Sequence, residues 1–149
     1  MLATAESCTG GLIAGGCTAL AGSSRWFERG FVSYSNEAKA ELLGVDPALI
    51  AAHGAVSSEV AQAMARGALQ RSRAQVSVAV TGVAGPGGGT EAKPVGLVWF
   101  GFGLPDGPVV TESRRFEGDR ASVRASTVAH ARSRLLEHLT GPATVTWRR

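Results

Sequence analysis

The chain has 149 residues, 15 Lys+Arg against 12 Asp+Glu, and a formal net charge of +3. That length fits one domain and excludes a second large one. A composition of 44% hydrophobic and 18% charged residues excludes global disorder, and no stretch approaches the roughly 18 apolar residues of a membrane-spanning helix. The first residues, Met1-Leu2-Ala3-Thr4-Ala5-Glu6, carry neither a basic n-region nor a long apolar h-region, so no secretory signal is expected. Cys8 and Cys17 lie too early to staple a fold, and neither belongs to a spacing that binds zinc. A cytoplasmic protein without a metal is the expectation.

In chain order, residues 2–6 read as a short strand that meets a turn at Thr9-Gly10-Gly11. An alanine-rich helix follows to about Leu20. Phe31-Val32-Ser33-Tyr34 alternates like a strand. Ser35-Asn36 supplies N-cap chemistry for a helix through Leu43, with Gly44 at the C′ position. Asp46-Pro47 opens a short helix that ends near Gly54. Ser57 caps a longer one carrying Val60, Met64 and Ala68 on one face. Residues 76–81 (VSVAVT) are a strong strand signal and run into the loop Gly85-Pro86-Gly87-Gly88-Gly89. Residues 95–103 and 109–116 read as an antiparallel pair joined by Pro105-Asp106-Gly107. Asp119 caps a last helix of roughly residues 120–139, and a frayed tail is expected from 142 to 149. Alternating strands and helices followed by a hairpin predict an α/β domain over residues 1–141, a three-layer α/β/α sandwich with a mixed, mostly parallel sheet. The chain enters a strand almost at Met1, where domains of this kind usually place a helix first. One sheet face is therefore expected to be partly bare.

Ligands gather at the carboxyl ends of strands in open α/β sheets. Three segments meet there: Glu6 to Gly11, Tyr34 to Lys39, and Thr81 to Gly89. Ser7 lies at a strand-to-helix turn, where free N–H groups can hold an oxyanion or a phosphate; Ser7 or Thr9 acting only as a helix cap is the plain alternative. Gly10 and Gly11 allow close approach to the backbone. The histidines are poor candidates for the base of Ser7: His53 lies near a helix end, and His130 and His138 lie on the last helix, far from any glycine loop. Lys39 is better placed. The chain uses 13 Arg and two Lys, and both lysines, Lys39 and Lys93, fall beside candidate loops. A buried lysine can lose its proton, whereas arginine stays charged. Tyr34 can relay a proton, stack on a ring, or simply fill the sheet surface. Arg120, beside the cap Asp119, suits a phosphate, or is one of several exposed arginines. Cys8 is a competing nucleophile, read more simply as a buried thiol.

Six motifs in order carry a resemblance: Ala5-Glu6-Ser7-Cys8-Thr9-Gly10-Gly11, Tyr34-Ser35-Asn36-Glu37-Ala38-Lys39, His53-Gly54-Ala55-Val56-Ser57, Thr81-Gly82-Val83-Ala84-Gly85-Pro86 through Gly89, Lys93-Pro94-Val95-Gly96 and Gly118-Asp119-Arg120. Over about residues 2–140 the chain resembles the CinA C-terminal domain, the PncC-type nicotinamide mononucleotide deamidases. The resemblance implies hydrolysis of the carboxamide of nicotinamide mononucleotide to nicotinate mononucleotide and ammonia, with no metal and no cofactor. It implies Ser7 as nucleophile, Lys39 as general base, Tyr34 at the same site, and Thr81 and Arg120 in catalysis or substrate binding. Thr9, Gly10 and Gly11 are the expected oxyanion loop, and Arg120 with the loop holding Gly85 and Gly88 the expected phosphate and ribose contacts. A homo-oligomer, with a dimer favoured, is implied; a membrane partner is not, and a nucleic-acid partner is disfavoured. The competing class is a non-catalytic, nucleotide-binding regulatory module linked to competence or DNA damage.

Overall fold

The computed structural model describes residues 1–141; the tail expected from 142 onward lies outside the described residues. Five strands, β1 (Leu2–Glu6), β2 (Phe27–Val32), β3 (Val76–Gly82), β4 (Leu97–Gly103) and β5 (Val109–Arg115), form one sheet in the order β2-β1-β3-β4-β5. β1 runs parallel to both β2 and β3, while β3–β4 and β4–β5 are antiparallel. The sheet is mixed, as expected, but its pairings divide evenly rather than being mostly parallel. The connection between β3 and β4 contains no helix, and a parallel return would need a crossover of helical length.

Five helices cover the two faces: α1 (Leu12–Thr18), α2 (Asn36–Leu43), α3 (Pro47–His53), α4 (Ser58–Gln70) and α5 (Arg120–Thr140). Strand alternation decides which face each residue serves. Val78 and Val80 point toward α1 and α5, where they meet Ile13, Phe100, Phe102 and Val123. Ala79 points the other way, into a cluster with Leu43, Val60 and Met64 from α2 and α4. Fully burying each large apolar side chain contributes about 1.5–3 kcal/mol. The predicted caps hold: Ser35, Asp46, Ser57 and Asp119 each accept a backbone N–H of the helix they open. Gly67 of α4 faces α2, where a Cβ would come within 2.0 Å of the Leu43 carbonyl oxygen. That close approach sets the distance between the two helices, and with it the seat of Lys39.

Two boundaries differ from the expectation. α1 stops at Thr18, whose hydroxyl donates back to the carbonyls of Ala14 and Gly15, and a 3-10 turn at Ser23–Arg25 leads into β2. β2 starts at Phe27 rather than Phe31. Its Glu28-Arg29-Gly30 stretch is largely exposed at the sheet edge, so backbone pairing with β1 fixes it without an apolar pattern. Between α1 and α5, on the face beneath Leu2 and Val76, runs an apolar groove of about 690 Å³ bordered by Leu20, Trp26, Leu136 and Leu139.

Candidate active site

The carboxyl ends of β1, β2 and β3 bring the predicted segments together. Ser7 and Ser33 each continue a strand by one residue. The Ser7 amide donates to Val80 O at 3.2 Å and the Ser33 amide to Glu6 O at 2.9 Å. α2, started by its Ser35 cap, then swings Lys39 back beneath these ends. Its Nζ lies 3.2 Å from Ser7 Oγ, 3.3 Å from the Ser33 carbonyl oxygen and 3.1 Å from that of Tyr34.

Lys39 is 1% exposed, and among the described residues no carboxylate lies within ion-pairing distance of it. Burial pushes its pKa below the ordinary lysine value, against weaker opposing effects of Cys8 and Glu37. The neutral amine suits this seat. Its two N–H groups match the two carbonyls, and its lone pair is left for the Ser7 hydroxyl proton. The neighbouring thiol behaves oppositely: burial raises Cys8 to about 11, which keeps it protonated and poorly nucleophilic.

Arg120 joins the other side of the cleft. Its Nη1 donates to the Gly85 carbonyl at 2.8 Å and its Nη2 to the Tyr34 hydroxyl at 3.1 Å. Tyr34 therefore reaches Lys39 through its carbonyl and Arg120 through its ring oxygen. Ser7, Lys39, Tyr34, Arg120 and Gly85 thus form one connected group. Gly88 lies in the same loop with φ +84°. Thr81 is turned away, its buried hydroxyl donating to Ala55 O at 2.8 Å, which ties the end of β3 to the α3–α4 connection. Lys93 is used similarly, donating to the His53 carbonyl. None of the three histidines enters the cleft: His130 and His138 pack on Phe100 and Phe102, and His53 faces Glu59.

The start of α1 differs from the sequence expectation of free N–H groups. Glu6, fully buried, accepts from Ile13 N at 2.9 Å, Ala14 N at 3.0 Å and the Thr9 hydroxyl. The first turn is already occupied by an internal carboxylate. The Gly10 amide donates to Ser7 O, whereas the Thr9 and Gly11 amides donate to no acceptor among the described residues. Arg124, one turn after Arg120, lies against the same loop. Sequence reasoning passed over both Glu6 and Arg124 as site residues. The available signals were an acid closing a short buried strand and an i, i+4 arginine pair on α5. Among the described residues no group of three or more His, Cys, Asp or Glu side chains could hold a metal ion.

The model for the CinA C-terminal domain matches residues 1–139. The chain is 55% identical over 128 residues to the nicotinamide-nucleotide amidohydrolase PncC of Escherichia coli K12, covering 86% of this chain and 78% of that one. It is 56% identical over 140 residues to a CinA-like protein of Mycolicibacterium gilvum, of which it spans only 33%. The crystal structure of a competence/damage-inducible protein from Agrobacterium tumefaciens superposes with a TM-score of 0.89 at 50% identity, covering 91% of this chain and 83% of that chain. Fold, motif order and these similarities agree: the chain belongs to the CinA C-terminal domain family.

Proposed function

We propose that this domain is an amidohydrolase that converts nicotinamide mononucleotide to nicotinate mononucleotide and ammonia. The observation that carries the reading is the buried Lys39 amine set 3.2 Å from Ser7 Oγ. The name of the Escherichia coli relative supports the substrate. In the first step neutral Lys39 takes the Ser7 proton as the Ser7 oxygen attacks the carboxamide carbon. The loop amides of Thr9 and Gly11 hold the resulting oxyanion. Protonated Lys39 then gives its proton to the departing nitrogen, which leaves as ammonia with formation of an ester on Ser7. A water, deprotonated by Lys39, attacks that ester; nicotinate mononucleotide is released and Ser7 is restored. Arg120 and the Gly85–Gly89 loop bind phosphate and ribose. Such an enzyme would serve pyridine-nucleotide recycling.

A binding-only module would use Arg120 and the glycine loop equally well. It has no use for a lysine stripped of carboxylate partners and pressed against a serine. A nucleic-acid surface is disfavoured because two arginines of α5 are spent internally, Arg124 on the Ser7 loop and Arg134 on Glu112.

The test is ammonia release from nicotinamide mononucleotide by the wild type beside Ser7→Ala and Cys8→Ala. Ser7→Ala should lose roughly 10⁴-fold or more, the scale of deleting a hydrolase nucleophile, while Cys8→Ala retains most activity. The reverse pattern reassigns the nucleophile, and an inactive wild type removes the reading.

A further inference from the structure

The loop from Ser7 to Gly11 belongs to neither β1 nor α1, yet it is pinned on two sides. From below, Glu6 takes the Thr9 hydroxyl. From above, Arg124 of α5 donates from Nε to the Cys8 carbonyl at 3.1 Å and from Nη2 to the Thr9 carbonyl at 3.2 Å. The approach is close. Gly10 sits at φ +59°, and a Cβ there would lie 3.4 Å from the Arg124 guanidinium. The guanidinium fork fits this task, because Nε and Nη2 lie in one rigid plane and meet the two successive carbonyls in a fixed geometry.

The bonded carbonyls belong to particular peptides. The Cys8 carbonyl shares its peptide with the Thr9 N–H, which, like the amides of Cys8 and Gly11, donates to no acceptor among the described residues. The Thr9 carbonyl shares its peptide with the Gly10 N–H, which closes the turn onto Ser7 O. A cation on the carbonyl side of a peptide draws electron density from its N–H and strengthens that group as a donor. We propose that Arg124 is a positioning residue that fixes the Ser7 loop and strengthens the Thr9 amide as an oxyanion donor. This rests on the amidohydrolase reading above. Arg124 bonds the Cys8 and Thr9 carbonyls and neither Ser7 Oγ nor Lys39 Nζ. Its effect should therefore fall on the rate of the chemical step rather than on substrate affinity.

The experiment measures kcat and KM for nicotinamide mononucleotide with wild type, Ser7→Ala, Arg124→Lys, Arg124→Gln and Arg124→Gly, the last also with added guanidinium ion well below denaturing concentrations. Arg124→Gln should lower kcat by about 10²-fold, the lower end of the cost of losing one oxyanion donor, with KM changed less than about threefold. Arg124→Lys should recover only part, and guanidinium should restore a substantial share of activity to Arg124→Gly. The acid limb of the pH profile should stay in place, since Lys39 is not in contact with Arg124. Retention of kcat within twofold in Arg124→Gln overturns the proposal. So does a loss of kcat that guanidinium fails to restore and that tracks a fallen melting temperature, because that marks a purely structural brace. A wild type without ammonia release, or a Ser7→Ala variant that keeps it, refutes the underlying reading and the clamp with it, and is told apart by those two controls.

Discussion

α5 carries basic side chains to two polar clusters, and the clusters are built on opposite plans. Its first turns place Arg120 and Arg124 at the strand-end cleft beside Ser7 and Lys39. Its later turns place His130 and Arg134 on Glu112 of β5, at 2.8 Å and 3.0 Å respectively. In the second cluster charge is balanced. Burial acts to raise Glu112, and the bonds from Arg134 and His130 outweigh it and hold the carboxyl below its usual range. Such a group is saturated and has no reactive valence left. In the cleft, Lys39 is buried against carbonyls and a hydroxyl, with no carboxylate among the described residues within ion-pairing distance. The same physics, burial of a titratable group, yields a structural tie where the partner is a counter-ion and, on the proposed mechanism, a proton acceptor where it is a neutral oxygen.

The sharpest way to break this contrast is Lys39→Arg. A permanently protonated side chain carries a fixed positive charge and cannot accept the Ser7 proton, so kcat/KM should fall by about 10²–10⁴-fold, the range for losing a general base. Full activity would show that Lys39 acts only as a charge. Arg120→Ala comes next. It removes the bridge between Tyr34 and Gly85 and the proposed phosphate contact, and should raise KM roughly tenfold or more, as expected for a charged hydrogen bond worth about 1.5–3 kcal/mol; an unchanged KM would move the phosphate site elsewhere. Gly67→Ala tests the seat of Lys39 indirectly. Its Cβ would collide with the Leu43 carbonyl, so thermal unfolding should show a loss of about 1–3 kcal/mol, accompanied by reduced kcat as α2 shifts. The smallest effect on catalysis should come from Glu112→Gln: stability falls at neutral pH with ammonia release unchanged. Because Glu112 is held below its unfolded value, its contribution is present above the unfolded carboxylate pKa and is lost as pH falls through the lower native one. Denaturation curves of wild type and variant should therefore converge in acid.

The parts of the molecule that local chemistry determines were legible in the sequence. Ser35, Asp46, Ser57 and Asp119 announce their helices because an N-cap is a short-range interaction. The Val76–Thr81 strand announces itself through β-branched alternation. The gathering of Ser7, Tyr34 and Lys39 follows from the rule that parallel strands end at one face, whereas Arg120, at the start of α5, is pointed to by its cap Asp119 and by the family motif. Glu6 and Arg124 escaped because each acts on backbone groups, at the start of α1 and at the Cys8 and Thr9 carbonyls, whose positions exist only once the layers have packed. Thr81 shows the same limit from the other side. It sits at the right strand end, yet the α3–α4 connection supplies a carbonyl that turns its hydroxyl away from the cleft. β2 was hidden in part because an edge strand need not alternate when one neighbour supplies its ladder.

The central claim is that Lys39 works as a neutral amine, and the pH dependence of kcat/KM for nicotinamide mononucleotide tests it most directly. The unfolded chain binds a proton at Lys39 up to about pH 10.4, and burial lowers that value in the native state. Activity should therefore rise with pH along a one-proton limb lying below the ordinary lysine range. Stability should rise across the same window, because there the unfolded chain holds the extra proton. A limb at the ordinary lysine value, or activity that falls as this window is crossed upward, would contradict the account.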